Sequence, residues 1–569
     1  MLETSREKLI SQLIAIGSCF TVIFILVGQV SDPVNVTKQI SLAYFAFAAG
    51  GLVLLQGSSR LWKDSRAPLI AGIVFQIFAV SAVLNSQSPF VQNIYGVYGR
   101  NTGFLTYFSL TLIFFAALYL RLDKNFSRII NAILIAGLVN VIYCLWVITF
   151  GDFVGWNNPY KNILGTFGNP NFIGSFLGIF ISILATNLFK PGLKVVYRIS
   201  GVIVIVIALI EVRASHAVQG VVVSLGGLSI LGFYLVRDRF KSEVVTIFYS
   251  ALVSVFGFIA LMGALQIGPL AKIVYKTSVS LRGEYWQAGW NMGREFPFTG
   301  VGMDSYGDWY RRMRDSQALI VPGPNTVTNA AHNVLMDQFA YGGWPLLLSY
   351  LLLITLSVIA IVKVTLRQRK FNVTFVSLTT AWVCYQVQSV ISINQIGLAM
   401  LGWVLGGSLI AYEISTRDES KSDNSNSKST LKRSGKKNDL QFFFSPQLVA
   451  FQAGLLGLFL AFPPLNADMK WKSAVSVGSL PGVEKVLQPS YLIPYDSNRY
   501  SSIVLSLEQS KLYEQAAKYA RYNVEFNPES FDAWRTLYSL SLITSEEKIK
   551  AKAELLRLDP LNPDIKALP

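Results

Sequence analysis

The stretch Asn329–Gly343, NAAHNVLMDQFAYGG, ends a long polar loop and opens an apolar run that continues to residue 362. At 1.5 Å of rise per residue, a helix over 334–362 is longer than the roughly 30 Å of a bilayer's hydrocarbon core. It therefore reads as a membrane-crossing helix with His332 and Asn333 at its mouth, where water gives way to lipid. His332 is one of only two histidines in the chain. Imidazole alone has an unperturbed pKa near neutrality, so a histidine at such a boundary is a candidate proton carrier. A helix N-cap at the interface is the plainer reading of the same residues.

Working outward, apolar runs recur at 9–30, 40–56, 68–84, 103–120, 129–149, 171–188, 199–212, 217–236, 247–266, 373–392, 396–413 and 445–463. Of the 569 residues, 52% are hydrophobic and 14% charged, against about 25% charged in an ordinary soluble protein. These features predict an all-α polytopic membrane protein with about 12–14 transmembrane helices. The formal charge of +16 does not imply a nucleic-acid partner, because the excess cations lie in short loops on alternate sides of the helices. Arg60, Lys63 and Arg66 lie in one such loop, Arg121, Lys124 and Arg128 in the next, then Lys190, Lys194 and Arg198, Arg237, Arg239 and Lys241, and Arg367, Arg369 and Lys370. The positive-inside rule makes that side cytoplasmic, with the N-terminus inside and, for an odd number of spans, the C-terminus outside. Cys19, Cys144 and Cys384 all fall in apolar segments, so neither a disulfide framework nor a thiolate metal site is indicated. The first apolar run is long enough to span and has no clear cleavage site.

The expected organisation is a membrane domain over 1–413 with a large extracytoplasmic loop at 267–333. A basic linker follows at 414–444, then a final transmembrane helix at 445–463. The linker, ESKSDNSNSKSTLKRSGKKN at its centre, lacks the apolar content to fold alone and reads as disordered and cytoplasmic. Residues 466–569 form an extracytoplasmic segment of amphipathic helices. Pro528 and Pro560 lie about one tetratricopeptide period apart, and Ala516, Ala517 and Ala520 resemble the second helix of such a repeat. This tail could present a surface to a protein partner or simply pack on the membrane domain.

With that orientation, the unusual polar loops share the outer face: YGRNTG at 98–103, GTFGNPN at 165–171, RASH at 213–216 and the loop at 267–333. No Walker-type phosphate loop is present, which disfavours a cytoplasmic nucleotide-using enzyme. Gly165, Gly168 and Pro170 suit a tight entry to a helix, with or without a further role. Arg100, Arg213 and Arg282 stand against the positive-inside trend. Each could be a snorkelling anchor, or together they could hold phosphate, which guanidinium forks bind bidentately. The aromatics Phe296, Phe298, Tyr306, Trp309 and Tyr310 could sit at the lipid interface or stack on sugars. Asp304 and Asp308 lie nearby without a spacing that specifies a carboxylate pair, and two histidines with no clustered cysteines argue poorly for a metal.

Four ordered segments carry a family resemblance: YGRNTGFLTY at 98–107, GTFGNPNFIGSFL at 165–177, LRGEYWQAGW with FPFTGVG at 281–302, and AAHNVLMDQFAYGGWPLLL at 330–348. Over roughly residues 95–345 the chain resembles the O-antigen ligase and polymerase superfamily, membrane glycosyltransferases of the GT-C type. The resemblance implies transfer of a glycan from an undecaprenyl-diphosphate carrier to an acceptor hydroxyl on the outer face of the bacterial inner membrane. The acceptor could be a glycan, a lipid or a protein. It implies a metal-independent reaction with no cofactor, His332 as the general base and arginines holding the diphosphate. By position, Arg282 matches the family arginine ahead of the tryptophan and Arg100 the one ahead of Gly103. Asn169, Asn171 and Asn333 fall within the matching motifs and join the candidate substrate-binding set. One departure stands out: where many ligases have Ser-Arg-Gly, this chain has Ser215-His216-Ala217. Arg213 or a protonated His216 could supply the missing cation, while Ser215, Gln219 and Gly220 are similar to a Ser…Gln-Gly pattern in other relatives. Alternative functions are a protein O-oligosaccharyltransferase of the same superfamily and a glycolipid transporter or flippase. The latter predicts ionisable residues at mid-membrane depth.

Overall fold

A computed structural model describes residues 4–156, 158–264, 268, 277–423 and 444–569. The chain is all-helical, with no strand among the described residues. Nine described helices are long and apolar enough to cross a membrane, and Phe104–Leu118 is a shorter apolar helix. Each apolar run of the sequence coincides with a helix, so the chain is a polytopic membrane protein. The loops joining the helices gather at two ends. At one, Glu7, Arg60, Asp64 and Arg121 form an ion-pair cluster, Arg60 Nη1 lying 3.3 Å from Glu7 and Arg121 Nη2 3.3 Å from Asp64. At the other end lie the loops that carry His332, Arg100 and Asn169.

Several boundaries differ from the sequence expectation, each for a physical reason. The first helix, Ser5–Ile23, stops short of residue 30. Lys38 Nζ donates to the carbonyls of Thr21 (2.9 Å) and Val22 (2.5 Å), and Thr166 Oγ1 donates to Val22 (2.8 Å). The orphan carbonyls of the last turn are thus satisfied, and the chain is free to leave the axis. The helix from Ile396 runs to Asp423, past the expected start of the linker at 414. Arg367 holds its end through the Glu413 carboxylate at 3.3 Å and Thr416 Oγ1 at 2.8 Å. The centre of that linker, 424–443, lies outside the described residues. The last membrane helix continues from Pro446 to Val477, and its extension is docked where Asp468 Oδ2 accepts the backbone N–H groups of Ser31 (2.8 Å) and Asp32 (2.9 Å).

The region expected as a long loop contains the helices Thr277–Glu295, Tyr306–Met313 and Gln317–Ile320. In Thr277–Glu295, Tyr285, Ala288 and Met292 are buried along one face at i, i+3 and i+7. Its glycines obscured that pattern, yet Gly293 serves packing: a Cβ there would come within 2.5 Å of the Phe339 ring. Tyr306, Trp309 and Tyr310 are core residues rather than interfacial ones, and only Phe298 of that aromatic group is largely exposed.

The Val334–Arg367 helix is broken. Gly342 (φ −141°, ψ 18°) and Gly343 (φ 63°, ψ −158°) leave helical geometry just ahead of Pro345. The segment FPFTGVG fills the break. Val301 N–H donates to the Ala340 carbonyl (2.8 Å), Gly302 N–H to Tyr341 (3.0 Å), and Trp344 N–H to Pro297 (2.8 Å). Backbone groups freed by the kink are thereby paired again, as burial at membrane depth requires.

The chain beyond Val477 forms the helices Leu480–Leu487, Ser497–Gln509, Tyr513–Phe526, Phe531–Tyr538, Ser545–Leu558 and Pro563–Lys566, with a hydrophobic cluster of their own. They sit on the end that carries His332. Arg314 Nη2 reaches both oxygens of Asp559 at 2.8 Å, Arg311 Nη1 reaches Asp559 at 3.1 Å, and Arg312 Nη1 reaches Glu529 at 2.6 Å.

The glycine break can be tested. A Cβ on Gly343 would lie 2.3 Å from the Pro297 carbonyl oxygen, and its backbone region is one that only glycine occupies readily. Gly343→Ala is expected to cost at least about 1–3 kcal/mol from backbone strain alone, read as a lower thermal midpoint in detergent. Gly257→Ala, with nothing within 4 Å of the new Cβ, is expected to leave the midpoint unchanged.

Candidate active site

His332 stands at the end of the chain's polar excursion, one residue before the N-cap of the broken helix. Asn333 (φ −155°) is that cap, and its Oδ1 accepts the N–H groups of Leu335 (3.0 Å) and Met336 (3.3 Å). One residue earlier, Asp337 Oδ1 accepts the N–H of Ala331 at 2.7 Å. Held from both sides, His332 takes a left-handed backbone conformation, φ 56°. The N-cap is therefore Asn333, and capping leaves the His332 imidazole free for other work.

The imidazole lines a cavity of about 470 Å³ together with Arg100, Asn169 and Asn329. Other walls come from residues 31–35, from Trp156 and Tyr160, and from Ile393, Asn394 and Gln395. All of these belong to loops at the end opposite the Glu7–Arg60–Arg121 cluster. On the other side of the imidazole lies Tyr285, its ring centroid 5.6 Å away at an interplanar angle of 31°. Arg282 is one turn earlier on the same helix, on the Tyr285 face.

Arg100 is placed by a carboxylate that sequence spacing left without a role. Asp304, fully buried with φ 52°, accepts the N–H groups of Val97 (2.8 Å) and Thr102 (3.3 Å) through Oδ2, and Tyr341 Oη–H (3.3 Å) through Oδ1. The YGRNTG loop is thus wrapped around Asp304, whose carboxyl is pushed up by burial and pulled back down by Arg100 and these donors. Arg100 Nε donates to Asn329 Oδ1 at 2.6 Å. Its Nη1 is buried with no hydrogen-bond partner among the described residues. Arg282 has neither a hydrogen bond nor an ion pair among them, and burial pushes its guanidinium down from the ordinary value. Two under-compensated cations beside one imidazole make a site prepared for an anion.

Their field also acts on the imidazole. Burial first, then Arg100 and Arg282, push the pKa of His332 down to about 3. The ring is neutral across the physiological range, with a nitrogen lone pair available to accept a proton.

The remaining candidates separate into two groups. Asn169 caps the Pro170–Asn187 helix by accepting from Asn171 N–H (2.9 Å), and its Nδ2 lies 3.3 Å from Tyr160 Oη on the cavity wall. Asn171 and Asn333 do not line the cavity but shape the helix entries beside it. Arg213 and His216 are exposed and do not line it either. Ser215 is buried and works locally, its Oγ donating to the Val212 carbonyl (2.8 Å) and accepting from Ala217 N–H (3.2 Å). Gln219 Nε2 donates to Ser175 Oγ at 2.7 Å, tying two helices together. Sequence reading named Asp304 without giving it a role, and missed Asn329 and the 393–395 turn. The last had a signal: a short polar break, SINQ at 392–395, between two apolar runs whose other loops alternate in side.

The neutral state of His332 is measurable. As pH falls from 7 to 5, the His332 ring signals of ¹⁵N-histidine-labelled protein are expected to stay those of neutral imidazole, with His216→Gln used to assign them. Because the folded pKa lies below the unfolded value of about 6.5, this histidine's contribution to stability is present above that pH. It is lost as pH falls from there toward about 3.

Comparison with known proteins covers part of the chain. Residues 202–351, which include Arg282 and His332, match the family model described as O-antigen ligase. No curated protein matches the chain. Over that stretch, this integral membrane protein is similar to the O-antigen ligases.

Proposed function

We propose that the chain is a membrane glycosyltransferase that moves a glycan from an undecaprenyl-diphosphate carrier to an acceptor hydroxyl, on the outer face of a bacterial inner membrane. The observation that carries this reading is the neutral His332 imidazole in one cavity with Arg100, and with Arg282 a turn from its ring neighbour Tyr285. The match to the O-antigen ligase family model supports the same chemistry. As in the sequence reading, the end bearing His332 is taken as extracytoplasmic and the basic end as cytoplasmic.

In this mechanism the acceptor hydroxyl attacks the anomeric carbon of the donor sugar. Its proton passes to His332, a bond forms from the acceptor oxygen to the anomeric carbon, and the bond from that carbon to the diphosphate oxygen breaks. The diphosphate leaves with the electron pair, its charge met by Arg100 and Arg282. Diphosphate is a good leaving group, so positioning, charge stabilisation and one base suffice without a metal. Binding the donor also tunes the base. The diphosphate charge offsets the field of the two arginines, which raises the imidazole pKa from its depressed value in the free protein. Proton acceptance is therefore coupled to donor occupancy, which limits wasteful activation of water in the empty site.

Purified protein given donor lipid and acceptor is expected to release undecaprenyl diphosphate. His332→Ala is expected to lower that rate by about 10²–10⁴-fold, the usual worth of a general base, in protein shown by its thermal midpoint to be folded at the assay temperature. Wild-type turnover in the folded His332→Ala variant would remove the imidazole from the mechanism.

A further inference from the structure

A second cavity, about 320 Å³, lies between the C-terminal helices and the loop that carries Arg100. Its volume falls in the range of small-ligand pockets, about 300–1,000 Å³. It shares a wall with the His332 cavity. Asn329 lines both, and the loop between them presents Tyr98 and Asn101 to one and Gly99 and Arg100 to the other.

The chemistry of its walls selects a ligand. Tyr98, Tyr495 and Phe531 line it as aromatic surface. Tyr98 and Phe531 each have one face under a guanidinium, Arg499 at 5.1 Å and Arg311 at 4.0 Å from the ring centre. Asp308 and Asp496 are carboxylates that already accept, the first from Ser88 and Gln92 and the second from the Asn498 and Arg499 N–H groups. Asp532 is an exposed carboxylate. The guanidinium groups on the wall are already committed. Arg311 is 3.1 Å from Asp559, and Arg499 is 3.3 Å from Asp468. A phosphate or other anion would meet carboxylates and neutralised arginines here, unlike the first cavity, where Arg100 keeps a buried Nη1 without a hydrogen-bond partner among the described residues. Asn101 is only 3% exposed, and its side-chain oxygen has no hydrogen-bond partner among the described residues. Aromatic faces combined with carboxylate and amide acceptors match the hydrogen-bearing faces and hydroxyl donors of a sugar ring.

We propose that this second cavity binds an uncharged stretch of oligosaccharide and delivers its reacting end past Asn329 to the His332 cavity. The proposal rests on the glycosyltransferase reading and names the glycan subsite of that activity. It gives the C-terminal helices a direct role, since they supply Tyr495, Asn498, Phe531 and Asp532 to the wall. The arginine clasp on Asp559 and Glu529 then holds one half of the subsite against the other.

Asn498 and Asp532 are exposed and form no hydrogen bond or ion pair with the clasp residues. The Asp532 charge also acts on Arg311, so Asn498→Ala with Asp532→Ala is read beside its thermal midpoint and beside Asn498→Ala alone. The probe is the host's surface-glycan repeat unit, released from its lipid carrier, offered singly and as a dimer to the full chain in nanodiscs. The dimer is expected to bind wild type more tightly than the single unit. The double variant is expected to weaken dimer binding about 10-fold or more, the scale of one or two lost hydrogen bonds, and His332→Ala is expected to bind as wild type does. Absence of binding, binding unaffected by the double variant, or displacement by a serine-rich peptide rather than by glycan would overturn the subsite. Transfer assays tell its source: a raised KM confined to lengthened donors assigns the donor glycan, and one confined to lengthened acceptors assigns the acceptor. Glycan binding that is lost in the double variant, in a protein that transfers nothing, would defeat the glycosyltransferase reading while leaving the subsite in place.

Discussion

The break at Gly342–Gly343 is the constraint on which the outer end of this molecule depends. A helix that simply continued would have no use for FPFTGVG, and that segment would have no partner for its backbone. Because the helix opens, the Ala340 and Tyr341 carbonyls accept from Val301 and Gly302, and Trp344 donates to Pro297. This short exchange pins residues 297–302 to the helix mouth. Asp304 follows two residues later and fastens the Arg100 loop through Val97 and Thr102. The helix break, the carboxylate and the arginine form one chain of dependence that ends at the wall of the His332 cavity.

The electrostatics of that cavity follow from what is paired and what is not. Four arginines at this end are neutralised by ion pairs: Arg311 and Arg314 share Asp559, Arg312 meets Glu529, and Arg499 meets Asp468. Such buried pairs need both partners, since removing one leaves an uncompensated charge in a poor solvent. Arg100 and Arg282 are the contrast. Their incomplete compensation is costly in the empty protein, and the same field holds His332 neutral. An anion bound between them would relieve both effects, so binding and proton transfer draw on one electrostatic arrangement.

Much of this was legible in the sequence because its physical causes are local. Apolar runs of membrane length, cations in alternate loops and the rarity of histidine are properties of short windows. They were enough to recover the helices, to gather the polar loops on one end and to single out His332, Arg100 and Asn169. Residues were misread where a local pattern was overridden from a distance. Thr277–Glu295 looked like loop because its glycines weaken helix propensity, yet one of them, Gly293, admits the Phe339 ring. Arg213, in the last turn of the Val195–Ala214 helix, and His216, in the turn after it, are both exposed and do not line the His332 cavity.

The sequence by itself therefore determined an all-α membrane bundle, the face on which its polar residues meet and the imidazole at the centre of that face. Tertiary structure alone decided which cations reach that imidazole and which carboxylate positions them. It also decided that the C-terminal helices close a second cavity against the Arg100 loop. Hydrophobic length and periodicity are written in consecutive residues. The pairings Asp304 with Val97, Arg100 with Asn329 and Arg314 with Asp559 join residues that become neighbours only when the chain has folded.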